Sequence, residues 1–273
     1  MSYTPAIPLG GYAGWAFLKR TMPVQTTAFA GSSELKRDED YFRAMIGKID
    51  TAEQLVSDRR LLRVALGAFG LDGDINNRFF IRKVLEDGTL KTGTLANRLA
   101  DKQYQKLSAA FGFGDFKTPA TKISTFPDKI LTAFRARQFE VAVGDQNPDL
   151  RLALNLQREL PGIAGKTGST ENAKWFSVMG SAGLRRVFEK ALGLPAGLGA
   201  LDLEQQLGAF KEKAQAQLGS DSLAQFADPD KVEGLLRRFL LRSDADSYAQ
   251  SGGRTAALQL MQQAVATSRN RFG

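Results

Sequence analysis

From Glu34 to Leu241 the apolar residues of this 273-residue chain recur every three or four positions. That spacing lines up apolar side chains along one face of an α-helix, whereas a half-buried strand needs a period of two. Tyr41, Phe42, Met45, Ile46 and Ile49 form the first such face. Thr51 caps a second helix carrying Leu55, Leu61, Leu62, Ala65, Leu66 and Phe69, which stops at Gly70. Asp74 starts a third with Phe79, Phe80, Val84 and Leu85, closed by Gly88. Thr94 starts a fourth with Leu95, Leu99, Tyr104, Leu107 and Phe111. No run of β-branched residues alternates with period two, so the fold is read as all-α, multihelical and without a sheet.

The segment Asp115 to Asp128 holds Pro119 and Pro127 and reads as a linker over 115–128. It separates a helical unit over 34–114 from a second over 129–243. The second unit restarts with Ile130, Leu131, Phe134, Phe139 and Val143. A leucine run from Leu150 to Leu160 follows, and Pro161-Gly162 is read as its end. Further helical stretches run from Trp175 to Met179, Leu184 to Leu194, Leu201 to Leu218 and Asp230 to Leu241. Residues 244–273 read as a tail with a Gly252-Gly253 break and one Gln-rich helix around Ala256 to Ala266.

Residues 1–33 read as an arm, because Pro5, Pro8 and Pro23 exclude long regular elements. The arm still carries Tyr12, Trp15 and Phe17, too much apolar area to stay in water without consequence. It is expected to serve an interaction, on the body of the chain or on another subunit.

A shift of 123 residues overlays Leu61-Leu62-Arg63-Val64 on Leu184-Arg185-Arg186-Val187, and Ala68-Phe69-Gly70-Leu71 on Ala191-Leu192-Gly193-Leu194. Leu107 and Phe111 match Leu235 and Phe239 at a slightly larger shift. This suggests two approximately repeated helical units packed together. The equivalent apolar positions Leu62, Val64, Leu66, Phe69, Phe80, Leu107, Phe111, Leu184, Val187, Leu192, Leu235 and Phe239 are the expected core.

The chemistry is bounded by absence. The chain has no histidine and no cysteine, which removes the usual general base, the usual zinc ligands and the thiol nucleophile. Gly165-Lys166-Thr167 resembles the end of a phosphate loop, but Leu160 stands where that pattern needs glycine. Asp72-Gly73-Asp74-Ile75-Asn76 has the oxygen spacing of a calcium loop, but Lys83 stands where the closing glutamate belongs. Asp38, Glu39 and Asp40 are read as acids complementing a helix dipole. No catalytic residue, cofactor or metal site is therefore expected. The net charge of +8 favours acidic partners. Candidate contacts are Arg59, Arg60 and Arg63, then Arg185 and Arg186, then Arg237 and Arg238. They are scattered, with no run of like charge, so nucleic acid is the less favoured partner. No apolar stretch suits a membrane span and no secretory signal is visible. The expected location is cytoplasmic, with export to the flagellum by a type III route as the alternative.

Several phrases carry a family resemblance. They include Trp15-Ala16-Phe17-Leu18, Asp58-Arg59-Arg60-Leu61-Leu62, Ala109-Ala110-Phe111-Gly112-Phe113, Arg151-Leu152-Ala153-Leu154-Asn155 and Phe239-Leu240-Leu241-Arg242. Over most of residues 10 to 242 the chain resembles a bacterial all-helical family of unknown function, met among alphaproteobacterial flagellar genes. The resemblance implies a multihelical fold and a flagellar context. It supplies no catalytic residues. The expected function is a non-enzymatic structural or interaction protein of the flagellum, a minor component or an assembly factor that binds protein partners. The alternative is a cytoplasmic binding protein for nucleic acid or another acidic partner.

Overall fold

Glycines stop the helices where the apolar stripes end. Gly70, Gly112, Gly193 and Gly219 each take a left-handed conformation, with φ of 73°, 68°, 64° and 79°, directly after a helix. At two of these stops the following leucine folds back. The Leu71 amide donates to the Leu66 carbonyl at 3.0 Å, and the Leu194 amide to the Glu189 carbonyl at 2.9 Å. Each pairs a carbonyl that the helix end leaves open.

The computed structural model describes residues 3–269, with side chains to residue 249. Among the described residues there are thirteen α-helices joined by short 3-10 turns, and no strand. They are α1 (Gly11–Ala30), α2 (Ser33–Met45), α3 (Ala52–Ser57), α4 (Arg59–Phe69), α5 (Arg78–Asp87), α6 (Leu95–Arg98), α7 (Gln103–Phe111), α8 (Phe126–Gly144), α9 (Pro148–Ala164), α10 (Glu171–Met179), α11 (Ala182–Leu192), α12 (Leu203–Leu218) and α13 (Pro229–Arg269). The all-α reading holds.

Two cores meet along α8. The first gathers Leu35, Phe42, Leu61, Leu62, Leu66, Leu107 and Phe111 around α4, which lies along the first half of α8. The second gathers Trp15, Leu154, Trp175, Phe188, Phe210 and Phe239 around α9, α11 and α13. Phe126, Ile130, Leu131 and Phe134 of α8 belong to the first core, whereas Phe139 and Val143 belong to the second. One continuous helix thus runs through both. The expected boundary at 128/129 falls in its first turn, where Pro127 is accommodated because a first-turn amide needs no partner.

Several helix boundaries differ from the sequence reading. Pro23 lies inside α1 and Pro161 inside α9, so neither proline ends its helix. Asp58 breaks the second expected helix by accepting from the Arg60 and Leu61 amides, each at 3.0 Å, and thereby starts α4 anew. The third expected helix begins only at Arg78, because Asp72–Asp74 is wound as a 3-10 turn. The fourth is split into α6 and α7. Backbone in α13 is helical through Gly252 and Gly253, so the expected break is absent; the tail's side chains from residue 250 lie outside the described residues. Ten of the twelve expected core positions are buried, but Phe69 and Phe80 are only partly covered. Phe79, placed on the same apolar face as Phe80, is 79% exposed.

Candidate functional site

The first segment is helix rather than arm, and it rests on its own chain. Trp15 and Leu18 are fully buried in the second core. Glu233 on α13 gathers the polar edges of this helix. It accepts from Trp15 Nε1 at 3.1 Å, Tyr12 Oη at 3.3 Å and Lys19 Nζ at 3.0 Å. Phe17 is half-buried and lies beside Arg20. Gln25 clasps the preceding loop: its Oε1 accepts from the Ala6 amide at 2.7 Å, and its Nε2 donates to the Ala6 carbonyl at 3.1 Å.

The candidate arginines divide into three settings. Arg59, Arg60 and Arg63 occupy the first turns of α4 and line one cleft of about 410 Å³, floored by Leu66 and Ile75. Cations at a helix N-terminus oppose its dipole. Here Asp38, itself nearly buried, offsets them by accepting from Arg60 Nε at 2.9 Å and Arg63 at 2.8 Å. Arg60 also lies over the Tyr41 ring, 4.7 Å from its centroid. Arg185 is held by Glu189 at 2.7 Å and by Gln206 at 2.8 Å, whereas Arg186 is exposed in a different cleft. Arg237 lies over the Tyr12 ring at 5.5 Å, and Arg238 donates to Gln217 at 3.3 Å.

Two of the three acids read as dipole partners do other work. Asp38 and Glu39 sit in the second turn of α2 and join separate helices. Glu39 takes a two-pronged contact from Arg135 of α8, at 2.6 and 2.7 Å. In the calcium-like loop, Asp72 accepts from Gln138 and Asp74 from Asn77 and Tyr104, while Lys83 pairs with Asp87. Every one of these carboxylates is occupied within the chain.

A buried ionic network, which sequence reasoning missed, lies where α7, α8 and α9 meet. Arg158 grips Glu140 at 2.6 and 2.9 Å and reaches Glu159 at 3.1 Å. Arg137 reaches Glu159 at 2.8 Å. Gln103 and Asn155 also donate to Glu159, which leaves their own side-chain oxygens buried and unpartnered. Burial works to raise the pKa of Glu159. The charges of Lys106, Arg137 and Arg158 outweigh it and hold the carboxyl below its ordinary value. The available signal was Arg137 and Glu140 one turn apart on a helix that also carries the apolar face Ile130, Leu131, Phe134, Phe139 and Val143.

The model of a family described as "Protein of unknown function (DUF1217)" matches residues 68–232. The chain belongs to this family. The DUF1217 segment takes in the whole of the buried network; the Trp15 helix and the arginines Arg59, Arg60 and Arg63 lie before it, although Asp72, Ile75 and Gln138 of the arginine cleft lie within it. Among solved structures the chain is similar to protein AGR_C_984 from Agrobacterium tumefaciens, an X-ray crystal structure. The TM-score is 0.70 at 23% identity, over 88% of this chain and 98% of that one. That likeness establishes the fold. No curated protein matches the chain. Among the described residues no group of three or more acids could hold a metal ion, and no helix is long and apolar enough to cross a membrane.

Proposed function

We propose that this DUF1217 protein is a non-enzymatic interaction protein of the flagellar system, acting as a minor component or assembly factor. The observation that carries the interaction reading is α13. It runs for 41 residues, about 60 Å at 1.5 Å per residue. Among the residues of α13 whose side chains are described, which end at Ala249, Val232, Leu235, Leu236, Phe239, Leu240 and Ser243 are buried, and Ala245 to Ala249 are all exposed. Beyond them the sequence sets Leu258, Met261 and Val265 at spacings of three and four. A helix with such a stripe gains stability by packing against another helix. The flagellar context rests on the family resemblance. Either location, cytoplasm or the export route to the flagellum, is compatible with this role.

The test is a pull-down from flagellated cells with the full chain and with a version ending at Asp244, combined with fractionation into cytoplasm and basal body. The full chain is expected to retain flagellar components that the shortened one loses. Equal recovery by both versions would refute the role given to α13, and absence of flagellar components from both would refute the context.

A second reading, an acidic partner, is favoured by the convergence of Arg59, Arg60 and Arg63 on one cleft. It predicts that Arg59→Glu weakens binding of duplex DNA or an acidic protein in low salt. We also propose that the two units descend from one. The matching helix stops support this, since Gly70 lies under Arg137 of α8 as Gly193 lies under Arg242 of α13. The equivalence thins later in the units, because Phe111 ends a nine-residue helix and Phe239 lies inside a long one. A crystal structure in which the segment around Gly70 fails to superpose on that around Gly193 would refute it.

A further inference from the structure

We propose that the cleft between α7, α9, α10 and the start of α11 binds a small phosphorylated molecule of the diphosphate class. The cleft has a volume of about 630 Å³, within the range of small-molecule sites and roomier than a lone phosphate requires. Lys102, Lys106, Arg158, Lys166 and Lys174 line it, against the acids Asp101 and Glu159.

These cations differ in what remains of them. Arg158 is spent on Glu140 and Glu159. Lys174, whose side chain is 9% exposed, is spent on the Ala164 carbonyl at 3.0 Å and on Glu171 at 3.1 Å. Among the described residues Lys102 donates to the carbonyls of Asn97 and Leu99, at 3.0 and 2.9 Å, and forms no ion pair. Among the described residues Lys106 and Lys166 form no ion pair. Lys102 and Lys166 thus face the cleft without a carboxylate of their own, while Lys106 lies in the field of Glu159, which it shares with Arg137 and Arg158. A dianion or trianion in the cleft would be attracted by these charges. Glu159 opposes such a ligand little, because four donors already crowd its Oε1.

The neutral groups agree with this chemistry. Ser169, Ser177 and Ser181 line the same cleft and supply hydroxyls. Ser181, which lines the cleft, precedes the eleven-residue helix α11 and gives it no side-chain cap, so the first-turn amides have no side-chain partner there. Lys166 stands in the Gly165-Lys166-Thr167 loop, which follows helix α9 rather than a strand and so is no nucleotide-hydrolysis loop. No aromatic residue lines the cleft, and Ile163 is its one large apolar group. The cleft is therefore suited to the anionic part of a ligand and has no shelf on which a base would stack.

The probe is inorganic pyrophosphate, titrated by calorimetry into the full chain in low salt, with inorganic phosphate as the weaker comparison. Pyrophosphate is expected to bind, to raise the melting temperature and to lose affinity as salt is added. Lys106→Glu and Lys166→Glu are each expected to weaken it by about tenfold or more, since each replaces attraction by repulsion at close range. Both residues are exposed, so folding should survive, which circular dichroism checks. Lys36→Glu on α2 should leave affinity unchanged. Absence of any binding heat at millimolar pyrophosphate would overturn the proposal. So would binding that persists in the Lys106→Glu/Lys166→Glu double variant, because the anion would then sit elsewhere.

Discussion

Replacing Trp15 by alanine tests whether the first helix belongs to the body. Trp15 is fully buried in the second core, beside Leu18 and the α9 and α13 side chains. Truncating a buried tryptophan to alanine costs about 3–5 kcal/mol, from lost transfer energy and the cavity left behind. No further charge penalty should be added. Glu233 loses the indole donor but keeps Lys19 at 3.0 Å and Tyr12 at 3.3 Å. Native domains hold only about 5–15 kcal/mol in total, so the loss is a large share. The corresponding fall in melting temperature is roughly 6–20 °C for a chain of this size. The assay is urea unfolding followed by fluorescence. The chain has two tryptophans, so Trp175, buried in the same core, is the sole source of tryptophan emission in the variant. Trp15→Phe should recover most of the packing and lose about 1 kcal/mol for the hydrogen bond. A Trp15→Ala protein as stable as the parent would mean that this helix is not seated on α13 in solution. The reasoning that makes it part of the core would then be wrong.

Four further outcomes follow from the packing and the buried charges. Phe111→Ala should cost about 3–5 kcal/mol, because its fully buried ring contacts Phe113 and Phe126; a neutral result in urea would place it outside the first core. Gly193→Ala should destabilise by about 1–2 kcal/mol or more, since φ is 64° and a Cβ would collide with the Arg242 guanidinium. Gly208→Ala, within α12 and facing open space, should stabilise by about 0.5–1 kcal/mol; melting curves of the two variants shifted in the same direction would refute this reading. Glu159→Gln should destabilise strongly at neutral pH by leaving Arg137 and Arg158 undercompensated in a buried site. The folded pKa of Glu159 is lowered, so its contribution is complete above the ordinary glutamate value of about 4.3 and lost as pH falls through the folded value. Asp87, Asp115 and Glu171 are lowered too, so the variant should flatten only part of the acid limb of stability against pH; an unchanged limb would refute the role given to Glu159.

Helical class and helix stops were legible in the residues themselves. The spacing of three and four is a local property, and a glycine that takes the left-handed cap needs no distant partner to do so. Gly70 and Gly193 therefore appear as stops in both sequence and structure. Prolines misled the reading because their effect depends on context. Pro23 lies inside a helix anchored on one side by Trp15 and Leu18 and on the other by Gln25, and that packing outweighs the local penalty. The same logic explains Phe79 and Phe80. Both fit an apolar face by spacing, but the 3-10 turn at Asp72–Asp74 delays and rotates the start of α5, leaving Phe79 in solvent.

The candidate arginines could be found from sequence, since clustered charge is visible there. Their grouping could not. Arg59, Arg60 and Arg63 share a cleft because they lie on one helix turn, whereas Arg237 and Arg238, adjacent in sequence, diverge onto Tyr12 and Gln217. The network of Arg137, Glu140, Arg158 and Glu159 and the lysine cleft beside it arise only when α7, α8 and α9 are brought together. By itself the sequence determined secondary-structure class, helix ends and the absence of histidine and cysteine chemistry, because each depends on residue type and near neighbours. The tertiary structure decided which charges are paired, which face a cleft alone and which partner the first helix takes, because pairing and burial depend on groups up to 221 positions apart in the chain.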